Sequence, residues 1–148
     1  MTNQNKYQVK IAETTELQDK AFMVRKEVFV VEQKVSHEDE FDEFEKVSTH
    51  FVALDQNQLP VGAARWRKTD KGIKLERFAV SKEARGQGIG SLLVEAVLNN
   101  VKIREKTDYL YLHAQLDAIP LYSKFGFKKT GPQFEECDIQ HFKMYLIL

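Results

Sequence analysis

The chain has 148 residues, with 22 Lys plus Arg against 22 Asp plus Glu, so its formal net charge is zero. That length predicts one domain that buries roughly two-thirds of its unfolded surface without help from metals or disulfides, and 43% hydrophobic with 30% charged residues excludes disordered, collagen-like and coiled-coil chains. Neutrality disfavours a nucleic-acid partner; the lack of any run near ~18 apolar residues or of a secretory signal, together with the single Cys137, predicts a cytoplasmic protein with no membrane association.

Tyr7 to Ile11 alternates apolar and polar residues and predicts an edge strand. Thr14 or Thr15 offers an N-cap for a helix whose Leu17, Ala21, Val24, Val28 and Val31 recur on one face, with a break near Phe29. Glu32 to Lys46 then holds seven acids and two bases, reads as too charged to be buried, and is expected to form a loop with a short helix or turn.

His50 to Leu54 and Val61 to Lys68 are strand-like runs joined by a polar turn ending in Pro60, and they predict a hairpin. A third strand follows Gly72, with Ile73, Leu75, Arg77 and Ala79 on one face and Lys74, Glu76, Phe78 and Val80 on the other. Arg65 to Arg85 carries eight bases and three acids, so neutrality hides two opposed blocks of charge.

After Arg85-Gly86-Gln87-Gly88-Ile89-Gly90, the apolar positions Ile89, Leu92, Leu93, Ala96, Val97 and Val101 predict an amphipathic helix. Asp108 precedes the strand Tyr109 to Gln115; Pro120 opens a short helix that Gly126 ends. Residues 127–131 and 141–148 predict two further strands, giving one α+β domain over 1–148 with a mixed, mostly antiparallel sheet flanked by helices.

Glycines between a strand and a helix let the backbone turn with positive φ and aim N–H groups at an anion, with the helix dipole assisting. A phosphate or pyrophosphate is the expected guest, and Arg85 adds charge. There is no Gly-Lys-Ser/Thr ending, so this is not a Walker loop, and the spacing after Val80 fits a dinucleotide fold poorly.

Strand, Arg85 to Gly90, amphipathic helix, strand, then Tyr122-Ser123-Lys124-Phe125-Gly126-Phe127 resembles the GNAT acyltransferases, whose loop reads Q/R-x-x-G-x-G/A and whose later helix reads Tyr-x-x-x-Gly-Phe. Val24 to Gln33, the acidic stretch, His50, His113 to Gln115 and His141 are similar to its ElaA-like or YjcF-like branch. The resemblance implies transfer of an acetyl or other short acyl group from acyl-CoA to a primary amine on a small molecule or peptide. Acetyl-CoA is the implied co-substrate, no metal is implied, and a homodimer would be in keeping with relatives. The competing readings are a non-catalytic CoA-binding or scaffolding module and, more weakly, a nucleotide-dependent enzyme.

The resemblance implies that Arg85, Gly86, Gln87, Gly88, Ile89, Gly90 and Ser91 form the phosphate cradle. The strand ending Phe78-Ala79-Val80 would hold the pantetheine arm and polarise the thioester, Tyr122 would protonate the departing thiolate, and Asp117, where many relatives carry Asn, would stand near the arm. An amine with a Lys-like pKa of about 10.4 must lose a proton before attack. Glu76 and His113 are the catalytic candidates for this, with His50, His141 and water as alternatives. The acidic block is expected to attract the cationic amine.

Overall fold

The computed structural model describes residues 6–148. Its seven strands form one sheet in the order β1-β2-β3-β4-β5-β7-β6. These are β1 (Gln8–Ile11), β2 (Thr49–Leu54), β3 (Pro60–Thr69), β4 (Gly72–Val80), β5 (Tyr109–Gln115), β6 (Lys128–Glu136) and β7 (Ile139–Ile147). As the sequence predicts, β2, β3 and β4 are consecutive antiparallel neighbours, and β1 lies at the edge beside β2.

Two apolar layers sandwich the sheet. Helix α3 (Ile89–Arg104) buries Ile89, Leu93, Val97 and Val101 against Phe51, Trp66, Leu75 and Leu112, where each fully buried aliphatic side chain contributes about 1.5–3 kcal/mol. On the other face, helix α1 (Thr15–Arg25) packs Ala21 and Val24 over Val52, Leu54, Ala63 and Ala79. The Thr14 hydroxyl caps α1 by accepting from the Leu17 N–H at 3.2 Å.

The helical run changes at the break expected near Phe29, and Val31 leaves its predicted face. Lys26–Glu32 is a π-helix, whose wider turn rotates Phe29 inward, to 8% exposure, and leaves Val31 outside at 58%. The acidic segment contains the expected short helix, α2 (His37–Glu40), and a 3₁₀ turn, Glu45–Val47. Contrary to the expectation that charge keeps it at the surface, Glu40 is buried.

A bulge changes the reading of β4. Ala63 pairs with Ala79 but Arg65 pairs with Glu76, so two residues, Arg77 and Phe78, oppose Ala64, and Arg77 takes φ +61°. Phe78 and Val80 therefore join Ile73 and Leu75 on the α3 side, while Ala79 packs toward α1. The two faces predicted by unbroken alternation hold up to Glu76 and exchange beyond it.

Parallel pairing of β4 with β5 extends over Ile73↔Leu110, Lys74↔Tyr111 and Leu75↔Leu112, and ends there. Past this point the strands part, and α4 (Ile119–Lys124) stands near the opening. The predicted strand at 127–131 becomes the longer β6; it joins β7 through Cys137 and Asp138, both at positive φ as in a type I′ hairpin turn.

Candidate active site

The glycine loop and the parted strands form adjoining parts of one site. Gly86 and Gly88 adopt φ +79° and +83°, conformations costly for other residues, and a Cβ at either would meet nothing within 4 Å. The loop backbone therefore borders open space at the start of α3, where the first helical N–H groups have no intrahelical acceptors. Gly90 serves packing: a Cβ there would lie 3.2 Å from Leu121 of α4. Ile89 is buried and pins the loop to the core. The cradle fits a pyrophosphate.

Its side chains are arranged differently from the expectation. Arg85 donates through both terminal nitrogens to Glu32, each at 2.7 Å, and through Nε to the Val80 carbonyl at 3.0 Å. Its charge is thus offset by a carboxylate before any phosphate arrives. Gln87 accepts from the Tyr7 hydroxyl at 2.8 Å. Lys124, which the sequence reading gave no role, donates to Ser91 Oγ at 2.6 Å and brings a cation to the head of α3.

Below the loop, the opening between β4 and β5 continues into a cleft of about 470 Å³ lined by Phe78, Tyr122, Glu76, His113, His141 and Glu136, among others. Tyr122 is 7% exposed, with its ring edge-on to Phe78 at 5.7 Å. Burial raises its phenol above the ordinary range, so it stays protonated at neutral pH and can act as a donor. Ala79 is buried, whereas Val80 at the strand end is half-buried beside the loop. Asp117 is exposed on the 3₁₀ turn Leu116–Ala118 and does not line the cleft.

The wall beneath α2 is an ion network. Arg65, at 0% exposure, donates to Asp42 at 2.8 and 2.9 Å and lies 3.0 Å from Glu76. Arg25, also buried, binds Glu40 at 2.9 Å and Glu45 at 2.7 Å. Arg77 reaches Asp42 at 3.1 Å. Part of the opposed charge blocks thus pairs across them, with Arg25 of α1 joining in, which is how Glu40 and its neighbours tolerate burial. Asp42 and Glu45 are consequently not available as an attracting field for an amine.

Glu76 is held by the same network. Besides Arg65, it contacts Arg67 at 2.7 Å and Lys74 at 3.2 Å. Burial alone would raise its carboxyl, but the Arg67 hydrogen bond and the charges of Arg65 and Lys74 outweigh it and hold the group at about 2. A carboxylate so held has little affinity for a proton.

Of the candidate histidines, His113 and His141 line the cleft and His50 does not. His50 is buried, with Nε2 2.7 Å from the Glu45 carbonyl oxygen, and burial lowers its pKa. His141 approaches the Ile139 carbonyl through Nδ1 at 2.7 Å, and His113 approaches Glu136 through Nδ1 at 3.2 Å. Glu136 was missed from sequence because its strand was read as ending at Gly131. The alternation of Phe134 and Glu136 before Cys137-Asp138 was the available signal. Gln33 and Gln115, also missed, join through their amides at 2.9 Å and link the end of the π-helix to β5.

Residues 12–148 match the model of the Acetyltransferase (GNAT) domain family. The chain is 39% identical over 135 residues to the "Uncharacterized N-acetyltransferase YjcF" of Bacillus subtilis, covering 90% of this chain and 95% of that protein. Its fold is similar to the crystal structure of a putative N-acetyltransferase from Lactobacillus plantarum, with TM-score 0.86, 25% identity, and 97% and 99% of the two chains covered. It is similar also to Escherichia coli ElaA, with TM-score 0.81, 25% identity, and coverage of 95% and 98%. A family match spanning the glycine loop, the bulged β4 and the Tyr122 helix, with the same fold in relatives that align almost end to end, places this chain in the GNAT acetyltransferase family.

Proposed function

We propose that the protein transfers an acetyl or other short acyl group from acyl-CoA to a primary amine by direct attack while both substrates are bound. The observation that carries this reading is an arrangement of three parts: an open backbone cradle at Gly86–Gly88, the end of β4 that has no partner on its β5 side, and the buried phenol of Tyr122 at the cleft. Bound at the cradle, acyl-CoA supplies an activated acyl group and a thiolate leaving group.

The residues divide the remaining tasks. Backbone N–H groups from Gly86 to Ser91 hold the pyrophosphate, while Lys124 adds charge beside Ser91. The β4 edge at Phe78 to Val80 orients the arm by main-chain hydrogen bonding, as an added strand does. Tyr122 supplies a proton on the leaving-group side, and Phe78 keeps water from it. The acceptor, a small-molecule or peptide amine, enters between α2 and the β6–β7 hairpin, where its ammonium must lose a proton to a side chain of the cleft.

Calorimetry with acetyl-CoA, followed by thiol release over a panel of amines, tests the reading. The expected result is binding that weakens at least tenfold in Gly88→Val and turnover with some members of the panel. Absence of heat with every short-chain acyl-CoA overturns it, and binding without thiol release points to a module that binds CoA but performs no transfer.

A further inference from the structure

We propose that His113 takes the proton from the acceptor's ammonium and that Glu136 is the positioning residue that prepares it; this rests on the acyl-transfer reading above. Glu136 arrives at the cleft on the β6–β7 hairpin, and its Oε2 lies 3.2 Å from His113 Nδ1. The hydrogen bond from His113 holds the Glu136 carboxyl below its ordinary range, so at neutral pH it is a carboxylate that can only accept. Nδ1 therefore carries the proton, and Nε2 is left with the lone pair. Phe134 stands edge-on to the imidazole at 5.0 Å and restricts its rotation.

The other bases of the cleft are less suited. Glu76 is committed to three cations. His141 also has Nδ1 tied, but to the neutral carbonyl of Ile139, which does not offset the charge that protonation creates, and the residue is buried. Around His113 stand Lys74 and Glu76 on β4, Tyr111 on its own strand, Glu136 on β6, and Lys143 and His141 on β7. Glu136 makes the hydrogen bond and supplies the compensating charge. In the step itself, one ammonium N–H bond breaks, its electron pair stays on nitrogen, and an N–H bond forms at Nε2. The imidazolium is balanced by Glu136 and returns the proton to water.

Long-range proton–nitrogen NMR on the full chain reads the pair without substrate. His113 is expected to show Nδ1–H with bare Nε2 at pH 8. The Nδ1–H tautomer should lose population in Glu136→Gln and recover in Glu136→Asp. An Nε2–H tautomer, or a tautomer balance indifferent to Glu136→Gln, overturns the proposal.

Kinetics supply the second readout. His113→Gln should lower kcat by about 100-fold and leave acetyl-CoA affinity unchanged; Glu136→Gln should lower kcat about tenfold, and Glu136→Asp should restore most of it. A His113→Gln enzyme with its rate intact overturns the assignment but leaves acyl transfer standing. A wild-type protein that releases no thiol with any amine removes acyl transfer, and this proposal with it.

Discussion

Glu32 and Arg85 stand 53 positions apart and meet through two contacts of 2.7 Å. One opens the acidic block and the other closes the basic block, so the pair links the end of the π-helix to the glycine loop. The hydrogen bond lowers the pKa of Glu32 and raises that of Arg85, stabilising the charged form of each. Glu32→Gln should release Arg85 to the phosphates of coenzyme A and tighten binding by about threefold to tenfold at low salt. Calorimetry at two ionic strengths checks this, with the gain expected to shrink at the higher one.

Arg65 has the opposite character, a guanidinium closed off from water and neutralised by Asp42, Glu45 and Glu76. Arg65→Met should destabilise the fold by about 1.5–3 kcal/mol, because Asp42, Glu45 and Glu76 lose charge-assisted hydrogen bonds while each keeps another cation. Urea unfolding measures it. A loss under 1 kcal/mol would mean that water reaches these groups.

Acid unfolding should proceed in two stages. His50 has a folded pKa below its ordinary 6.5, so its contribution is present above 6.5 and is lost as pH falls through the folded value. Glu76 and Asp42, each held at about 2, contribute stability that is present above 4.5 and 3.8 respectively and is lost as pH falls toward 2. Glu40, raised by burial, acts in the opposite direction. Urea midpoints taken from pH 8 to pH 2 should therefore decline gently below 6.5 and steeply between about 4.5 and 2. His50→Gln should abolish the first stage.

Tyr122→Phe keeps the ring packed against Phe78 and removes the proton that its buried hydroxyl holds. It should lower kcat by about 100-fold while acetyl-CoA binding stays within twofold of wild type. Steady-state kinetics beside calorimetry separates the two effects. A binding loss as large as the rate loss would assign Tyr122 to packing instead.

Particular elements explain what could be read from the chain. Helix α3 was legible because Ile89, Leu93, Val97 and Val101 meet one continuous apolar surface, so periodicity and burial agree. The face of β4 was legible as far as Glu76. Its bulge was not, because a residue inserted against Ala64 depends on the partner strand. Val31 failed for the related reason that a π-turn changes the period inside an otherwise regular pattern.

By itself the sequence determined the family motifs, the glycine loop, the run of antiparallel strands and the presence of two opposed charge blocks beneath a net charge of zero. Those are properties of neighbours along the chain: spacing, turn chemistry and composition. The tertiary structure decided where the charge went. Asp42 finds Arg65, Glu40 finds Arg25 and Glu32 finds Arg85, so the acidic block closes over the sheet through buried and half-buried pairs. It also joined Glu136 to His113 across strands that are not neighbours in the sheet, with β7 between them. Pairing over such separations is set by register and bulges, because ions leave water when a partner at hydrogen-bond distance replaces their hydration.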